Sequence, residues 1–169
     1  MCNKINLNRY LKKYCRGFDI VIKEFTINQK IEYILDEILA EDADLICFSC
    51  YIWNIDMTLR IMRDLKAVRP DLTIVAGGPE VSYDAPELLK KHPFIDAVIM
   101  GEGELAFVEY LKQHYGSKQF EQVGGLVWRK DGDVFVNGGL QTIGDLDELP
   151  APYTCLDGLA GRMVYYETS

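Results

Sequence analysis

What the sequence lacks narrows it first. No apolar run in its 169 residues approaches the ~18–20 residues of a membrane span. No leader-like apolar stretch behind basic residues opens it, so neither membrane insertion nor export is expected. Basic charge is in deficit: 18 Lys and Arg face 26 Asp and Glu, a formal net charge of −8, which argues against a nucleic-acid partner. The five cysteines follow no regular spacing, so a disulfide framework is not expected and the thiols read as reduced, in a cytoplasmic protein. Zinc would need two further ligands beside Cys47-Phe48-Ser49-Cys50, and Cys2, Cys15 and Cys155 are scattered. The two histidines, His92 before Pro93 and His114 in a last helical turn, read as surface residues at helix ends. No nucleophile–base pair emerges, and there is no repeat or low-complexity segment. With 49% apolar and 26% charged residues, the chain can bury a core as one domain, or one domain plus part of another.

What is present alternates. Leu7, Tyr10, Leu11 and Tyr14 mark one face of a short helix ending near Gly17. Ile20-Val21-Ile22 reads as a first strand, and Thr26 with Gln29 as a capping box for a helix striped by Ile31, Ile34, Leu35, Ile38 and Leu39. Residues 45–49 form a strand apolar enough for burial on both faces. Asn54 caps a helix with Ile55, Leu59, Met62 and Leu65 inward, stopped by Pro70. Strands at 72–76 and 96–100 and helices at about 84–91 and 104–115 continue the alternation of a doubly wound parallel α/β sheet. After Gly116 the pattern changes. Leu126-Val127-Trp128-Arg129, a turn at Asp131-Gly132, and Val134-Phe135-Val136 make a β-hairpin extension. The acidic, proline-bearing residues 145–152 read as a linker, and residues 163–169 as a strand that leads onward. The chain thus divides into an α/β domain at 1–116, the hairpin at 117–144, and a linker with a closing strand at 145–169.

In an open parallel sheet, ligands bind beyond the carboxyl ends of the strands. That places Ser49-Cys50-Tyr51, Gly77-Gly78-Pro79-Glu80 and Gly101-Glu102-Gly103-Glu104 at the candidate site. The paired glycines let a large ligand lie against the backbone, and the glutamates suit a ligand rich in N–H donors. Asp19, Asp44 and Asp96 start strands rather than end them, which speaks against a phosphoacceptor domain. Gly101-x-Gly103-x-x-Ala106 matches a dinucleotide fingerprint in form, but Glu102 and Glu104 would repel a pyrophosphate there. Cys47, inside an apolar strand, reads as a buried structural thiol rather than half of a redox pair.

Residues 43–54 (Ala-Asp-Leu-Ile-Cys-Phe-Ser-Cys-Tyr-Ile-Trp-Asn), Gly77-Gly78-Pro79-Glu80-Val81-Ser82-Tyr83, Gly101-Glu102-Gly103-Glu104 and the closing Tyr165-Tyr166-Glu167-Thr168-Ser169 occur in that order. Together they resemble the N-terminal cobalamin-binding domain of cobalamin-dependent radical S-adenosylmethionine enzymes. The resemblance implies a flavodoxin-like (Rossmann-like) fold that binds cobalamin through the three loops and is non-catalytic by itself. It also implies a downstream barrel holding S-adenosylmethionine and a [4Fe–4S] cluster, in a methyltransferase-like parent. Ser49 corresponds to the family's serine loop, Gly77 and Gly78 to the glycines beside the nucleotide tail. The Asp-x-His-x-x-Gly pattern that supplies a histidine to cobalt is absent, so no residue here is expected to ligate the metal. The alternative is a flavodoxin-like regulatory module binding a nucleotide or no cofactor, and an isolated redox enzyme built on Cys47 and Cys50 ranks third.

A doubly wound domain usually opens with a strand, and here a helix comes first. In the flavodoxin-like order the absent strand is central, between residues 20–22 and 45–49. An open gap would orphan backbone groups. The neighbours are therefore expected to pair directly, or residues 163–168 to fill the gap, in cis or from a second copy in a homodimer.

Overall fold

The computed structural model describes residues 11, 13–15, 17–140 and 142–144. They belong to two compact units, one spanning Lys23–Thr142 and the other comprising residues 1–22 and 143–169. In the smaller unit, Leu11, Lys13 and Tyr14 are helical, and the Cys15 N–H donates to the Leu11 carbonyl at 2.6 Å. Ile20-Val21-Ile22 forms no strand, contrary to expectation. Val21 and Ile22 are exposed, and a β-branched run becomes a strand only where a neighbouring strand and a buried face receive it.

The larger unit runs α1 (Ile31–Leu39), β1 (Leu45–Ser49), α2 (Ile55–Val68), β2 (Thr73–Gly77), α3 (Pro79–Ser82), α4 (Ala85–Lys91), β3 (Ala97–Ile99) and α5 (Gly103–Tyr115). A 3-10 turn (Phe120–Gln122), β4 (Leu126–Lys130) and β5 (Asp133–Val136) follow. Gln29 does reach back, its Oε1 accepting the Thr26 N–H at 2.6 Å, but this closes a turn ahead of the helix. Helix α1 itself starts behind Lys30.

The sheet order is β1-β2-β3-β4-β5. The first three strands are parallel, and β4 and β5 add antiparallel. The sheet is therefore mixed, with three parallel strands where four were expected, and the hairpin extends it beyond β3. Among the described residues no strand lies outside β1. As an edge, β1 is not buried on both faces: Cys47 is exposed and its neighbours are half-buried. The expected pairing of residues 20–22 with β1 is not formed. The candidate filler 163–168, the linker 145–152 and the closing strand lie outside the described residues. No helix among those residues is long and apolar enough to cross a membrane.

Period-two alternation sends Ile74, Ala76, Val98 and Val127 into one core, with Ile34 of α1, Ile61, Met62 and Leu65 of α2, Val81 of α3 and Leu89 of α4. Helix α5 packs against β3 with buried Ala106, Phe107, Tyr110 and Leu111. A polar knot locks the amino edge of the sheet. Asp96 Oδ2 accepts the Ile74 N–H at 2.7 Å and Lys66 Nζ at 2.8 Å, tying α2, β2 and the approach to β3 together. Asp44, just before β1, accepts the Tyr115 hydroxyl at 2.9 Å. Asp44 and Asp96 thus serve structure at the edge opposite to the candidate site.

Candidate functional site

Register brings the three predicted loops to one edge. Ser49 pairs with Gly77, and Gly77 with Ile99, so β1, β2 and β3 end side by side. Strands two places apart are separated by roughly 9–10 Å, giving the mouth the breadth of a wide, flat ligand.

The first two loops interlock. The Cys50 N–H donates to the Gly77 carbonyl at 2.7 Å, and the Glu80 N–H to the Cys50 carbonyl at 3.4 Å. Gly78, at φ +106°, is where the two loops touch: a Cβ there would stand 2.5 Å from the Cys50 carbonyl oxygen. The glycine is thus required by the protein's own backbone, where room for a ligand was the expected reason. Gly77 differs. A Cβ there would meet only the Ile99 carbonyl oxygen, at an ordinary 3.7 Å.

Pro79 and Glu80 open α3 on the surface in place of the bare loop expected after Gly78, and Ser82 Oγ donates to the Gly78 carbonyl at 2.8 Å. Ser49 and Tyr51 are half-buried. Cys50 is 0% exposed, its thiol buried in the core. The third loop carries Gly101 and Glu102, both exposed, then Gly103 and Glu104 in the first turn of α5. Leu140 lies over it, 3.3 Å from where a Gly101 Cβ would be.

Glu104 is the electrostatically distinctive group. Burial, with a smaller push from Glu102, raises its carboxyl above the usual carboxylate range. The folded state therefore holds a proton more tightly than the unfolded chain, so this group's contribution to stability falls as pH rises from the ordinary carboxylate value through the raised one. Glu104→Gln should flatten that part of the stability–pH curve and raise the melting temperature at pH 7, measured by thermal denaturation from pH 4 to 8. An unchanged or steeper curve would refute this account.

Cys47 is exposed, contrary to the expected buried thiol, whereas Cys50 is buried. Under native conditions iodoacetamide should label Cys47 readily, and Cys50 more slowly by at least ~100-fold. Peptide mapping by mass spectrometry reads both sites. Comparable rates at both would contradict the fold at this edge.

His92 closes α4 and His114 lies in the last turn of α5. Helix α4 leads back to the amino end of β3, and beside His114 the Tyr115 hydroxyl bonds Asp44 at the amino end of β1, so both histidines lie away from the mouth. Burial lowers both imidazoles below the usual histidine value, weakening the expected interaction of an imidazolium with the helix dipole. Among the described residues no cluster of His, Cys, Asp and Glu could hold a metal ion.

Two features at the mouth were not assigned from sequence. The rings of Tyr51 and Trp53 stack at 4.7 Å, 6° from parallel, with Trp53 63% exposed. Asn54, expected as a helix cap, makes no side-chain cap bond. Its amide turns back into the loop, Nδ2 donating to the Ser49 carbonyl at 3.0 Å and Oδ1 accepting the Tyr51 N–H at 2.8 Å.

Known proteins share this architecture. The chain is 30% identical over 113 residues, 66% of its length, to the cobalamin-dependent radical SAM methyltransferase TokK of Streptomyces tokunonensis, of which it covers 17%. The same figures relate it to the 2-(S-pantetheinyl)-carbapenam-3-carboxylate methyltransferase of Streptantibioticus cattleyicolor. Among solved structures, the cobalamin-dependent S-adenosylmethionine radical enzyme OxsB, with aqua-cobalamin and S-adenosylmethionine bound, matches with a TM-score of 0.75. That match covers 89% of this chain and 21% of OxsB at 19% identity, a likeness of fold. The radical S-adenosylmethionine methyltransferase TsrM from Kitasatospora setae matches at 0.67 over 81% of this chain and 27% of its own, at 17% identity. The chain therefore spans about a sixth of those two sequence relatives. The B12 binding domain family matches residues 3–111, taking in all three parallel strands and the loops that leave them, and the chain belongs to that family.

Proposed function

We propose that the chain holds cobalamin across the carboxyl edge of β1, β2 and β3, as the cobalamin-carrying part of a larger radical S-adenosylmethionine enzyme of the methyltransferase kind. The observation that carries this reading is the side-by-side ending of three parallel strands, with Gly77 open at the centre. A corrin is broad and ringed with amides, and the mouth fits it. Gly77 and Gly103 leave space where a Cβ would stand, and the exposed Glu80 and Glu102 are acceptors for amide N–H groups.

Ser49, Tyr51, Gly77, Pro79, Glu80, Gly101, Glu102, Gly103 and Glu104 are the proposed contacts, with Cys50 and Gly78 shaping the floor through their backbones. When bound, cobalamin supplies a cobalt centre able to carry a methyl group. The chain's own residues bind and orient the ring, and none has a catalytic role. The barrel with S-adenosylmethionine and the [4Fe–4S] cluster belongs to the parent enzyme, reached through the linker at residues 145–152. Neither histidine serves the cobalt, since both sit at helix ends away from the mouth.

Hydroxocobalamin mixed with the folded protein should co-elute with it through a desalting column, with a protein-bound visible spectrum. His92→Ala and His114→Ala should leave that spectrum unchanged. Colourless protein that is folded by circular dichroism would overturn the proposal, and a spectral change in either variant would overturn the claim that neither histidine serves the cobalt.

A further inference from the structure

We infer that Asn54 is a positioning residue for the ligand: its side-chain amide clamps the loop after β1 in the shape that meets cobalamin. The inference deepens the proposed function and rests on it for the identity of the ligand.

Asn54 stands at the N-terminus of α2, where an asparagine would ordinarily accept a hydrogen bond from the first turn of its helix. It makes no such bond. Instead it spans five residues back to the end of β1, donating through Nδ2 to the Ser49 carbonyl, and accepts the Tyr51 N–H through Oδ1. The orientation of the amide follows from its partners, since the reverse would set oxygen against a carbonyl and NH2 against an N–H. Tyr51 is held on both sides, because its carbonyl receives the backbone N–H groups of Asn54 and Ile55, each at 3.0 Å. The clamp thus determines where Tyr51 stands, and with it the stack of Tyr51 on Trp53. It also holds Cys50, whose backbone fits against Gly78 with no room for a Cβ, so the shape of the first loop is passed to the second. A ligand meeting both loops binds without first ordering them, and such preorganisation appears as affinity.

Two substitutions separate positioning from helix capping. Asn54→Ala removes both bonds. Asn54→Asp retains a residue of equal rank at helix starts and the acceptor for Tyr51, but turns the donor facing the Ser49 carbonyl into an acceptor. Two measurements are made on each: amide hydrogen exchange by NMR without ligand, and titration with hydroxocobalamin. In Asn54→Ala the Tyr51 amide should exchange at least ~10-fold faster while the amides of β2 keep their protection. Both variants should bind hydroxocobalamin at least ~10-fold more weakly, and Asn54→Asp should do so with its melting temperature nearly unchanged. An unchanged Tyr51 exchange rate in Asn54→Ala, or affinity within twofold of the wild type in both variants, would overturn the inference. So would a loss of protection throughout β2, which would make Asn54 a stability residue. A folded wild-type chain that takes up no hydroxocobalamin would defeat the cobalamin reading itself, and the Tyr51 exchange rate would then decide the clamp.

Discussion

Gly78→Ala should lower stability by about 2–4 kcal/mol, from a left-handed backbone imposed on an L-residue and from overpacking against the neighbouring loop. The methyl carbon would fall 2.5 Å from the Cys50 carbonyl oxygen at a φ of +106°. Neither group can step aside cheaply, because the Cys50 N–H is bonded to Gly77 and the Cys50 carbonyl receives the Glu80 N–H. The midpoint of thermal unfolding should fall by on the order of 10 °C, and cobalamin uptake should fall with it because both loops must part. Differential scanning calorimetry checks the first claim and hydroxocobalamin retention the second. A variant as stable as the wild type would show that the two loops do not meet as described.

Gly77→Leu should leave stability intact and still lower binding. Its backbone needs no left-handed conformation, and its Cβ would rest in ordinary contact with the Ile99 carbonyl oxygen. Leucine also suits the end of a strand better than glycine. Stability should therefore hold, while the branched side chain fills space at the centre of the mouth. Affinity for hydroxocobalamin should drop by at least ~100-fold, about 2.7 kcal/mol. Gly77→Ala, projecting a single carbon, should lose less. Full affinity in Gly77→Leu would move the ligand off the centre of the edge. The contrast between adjacent glycines is informative because a Cβ at Gly78 would meet the chain's own backbone, while one at Gly77 would meet only an ordinary contact.

Much of this was legible in the sequence where local pattern and neighbours agree. The stripe at Ile31, Ile34, Leu35, Ile38 and Leu39 became α1, and Pro70 follows the end of α2 as expected. The three openings after residues 49, 76 and 100 came to one edge because parallel strands joined by helices all end on the same side. What was misread turned on neighbours that pattern does not name. Ile20-Val21-Ile22 has strand chemistry, yet it forms no strand and Val21 and Ile22 stay exposed. Cys47 sits in an apolar run, yet alternation turns it away from the core that Ile46 and Phe48 join, and the thiol is exposed. Gly78 was read as space for a ligand, although Cys50 already occupies that space. Asn54 has the residue type of a cap, and only the loop's closure shows its amide turned backwards.

The antiparallel addition of β4 to β3 decides where this chain can be cut. A truncation at Gly116, the boundary that sequence suggests for the α/β domain, would remove the strand paired with Ala97, Val98 and Ile99. All three are buried, and the strip uncovered would be apolar, with backbone donors and acceptors open to any similar strip in solution. Such a shortened protein should precipitate or form large assemblies on expression, whereas one ending after residue 142 keeps Val127 and Trp128 over β3 as a built-in solubility guard.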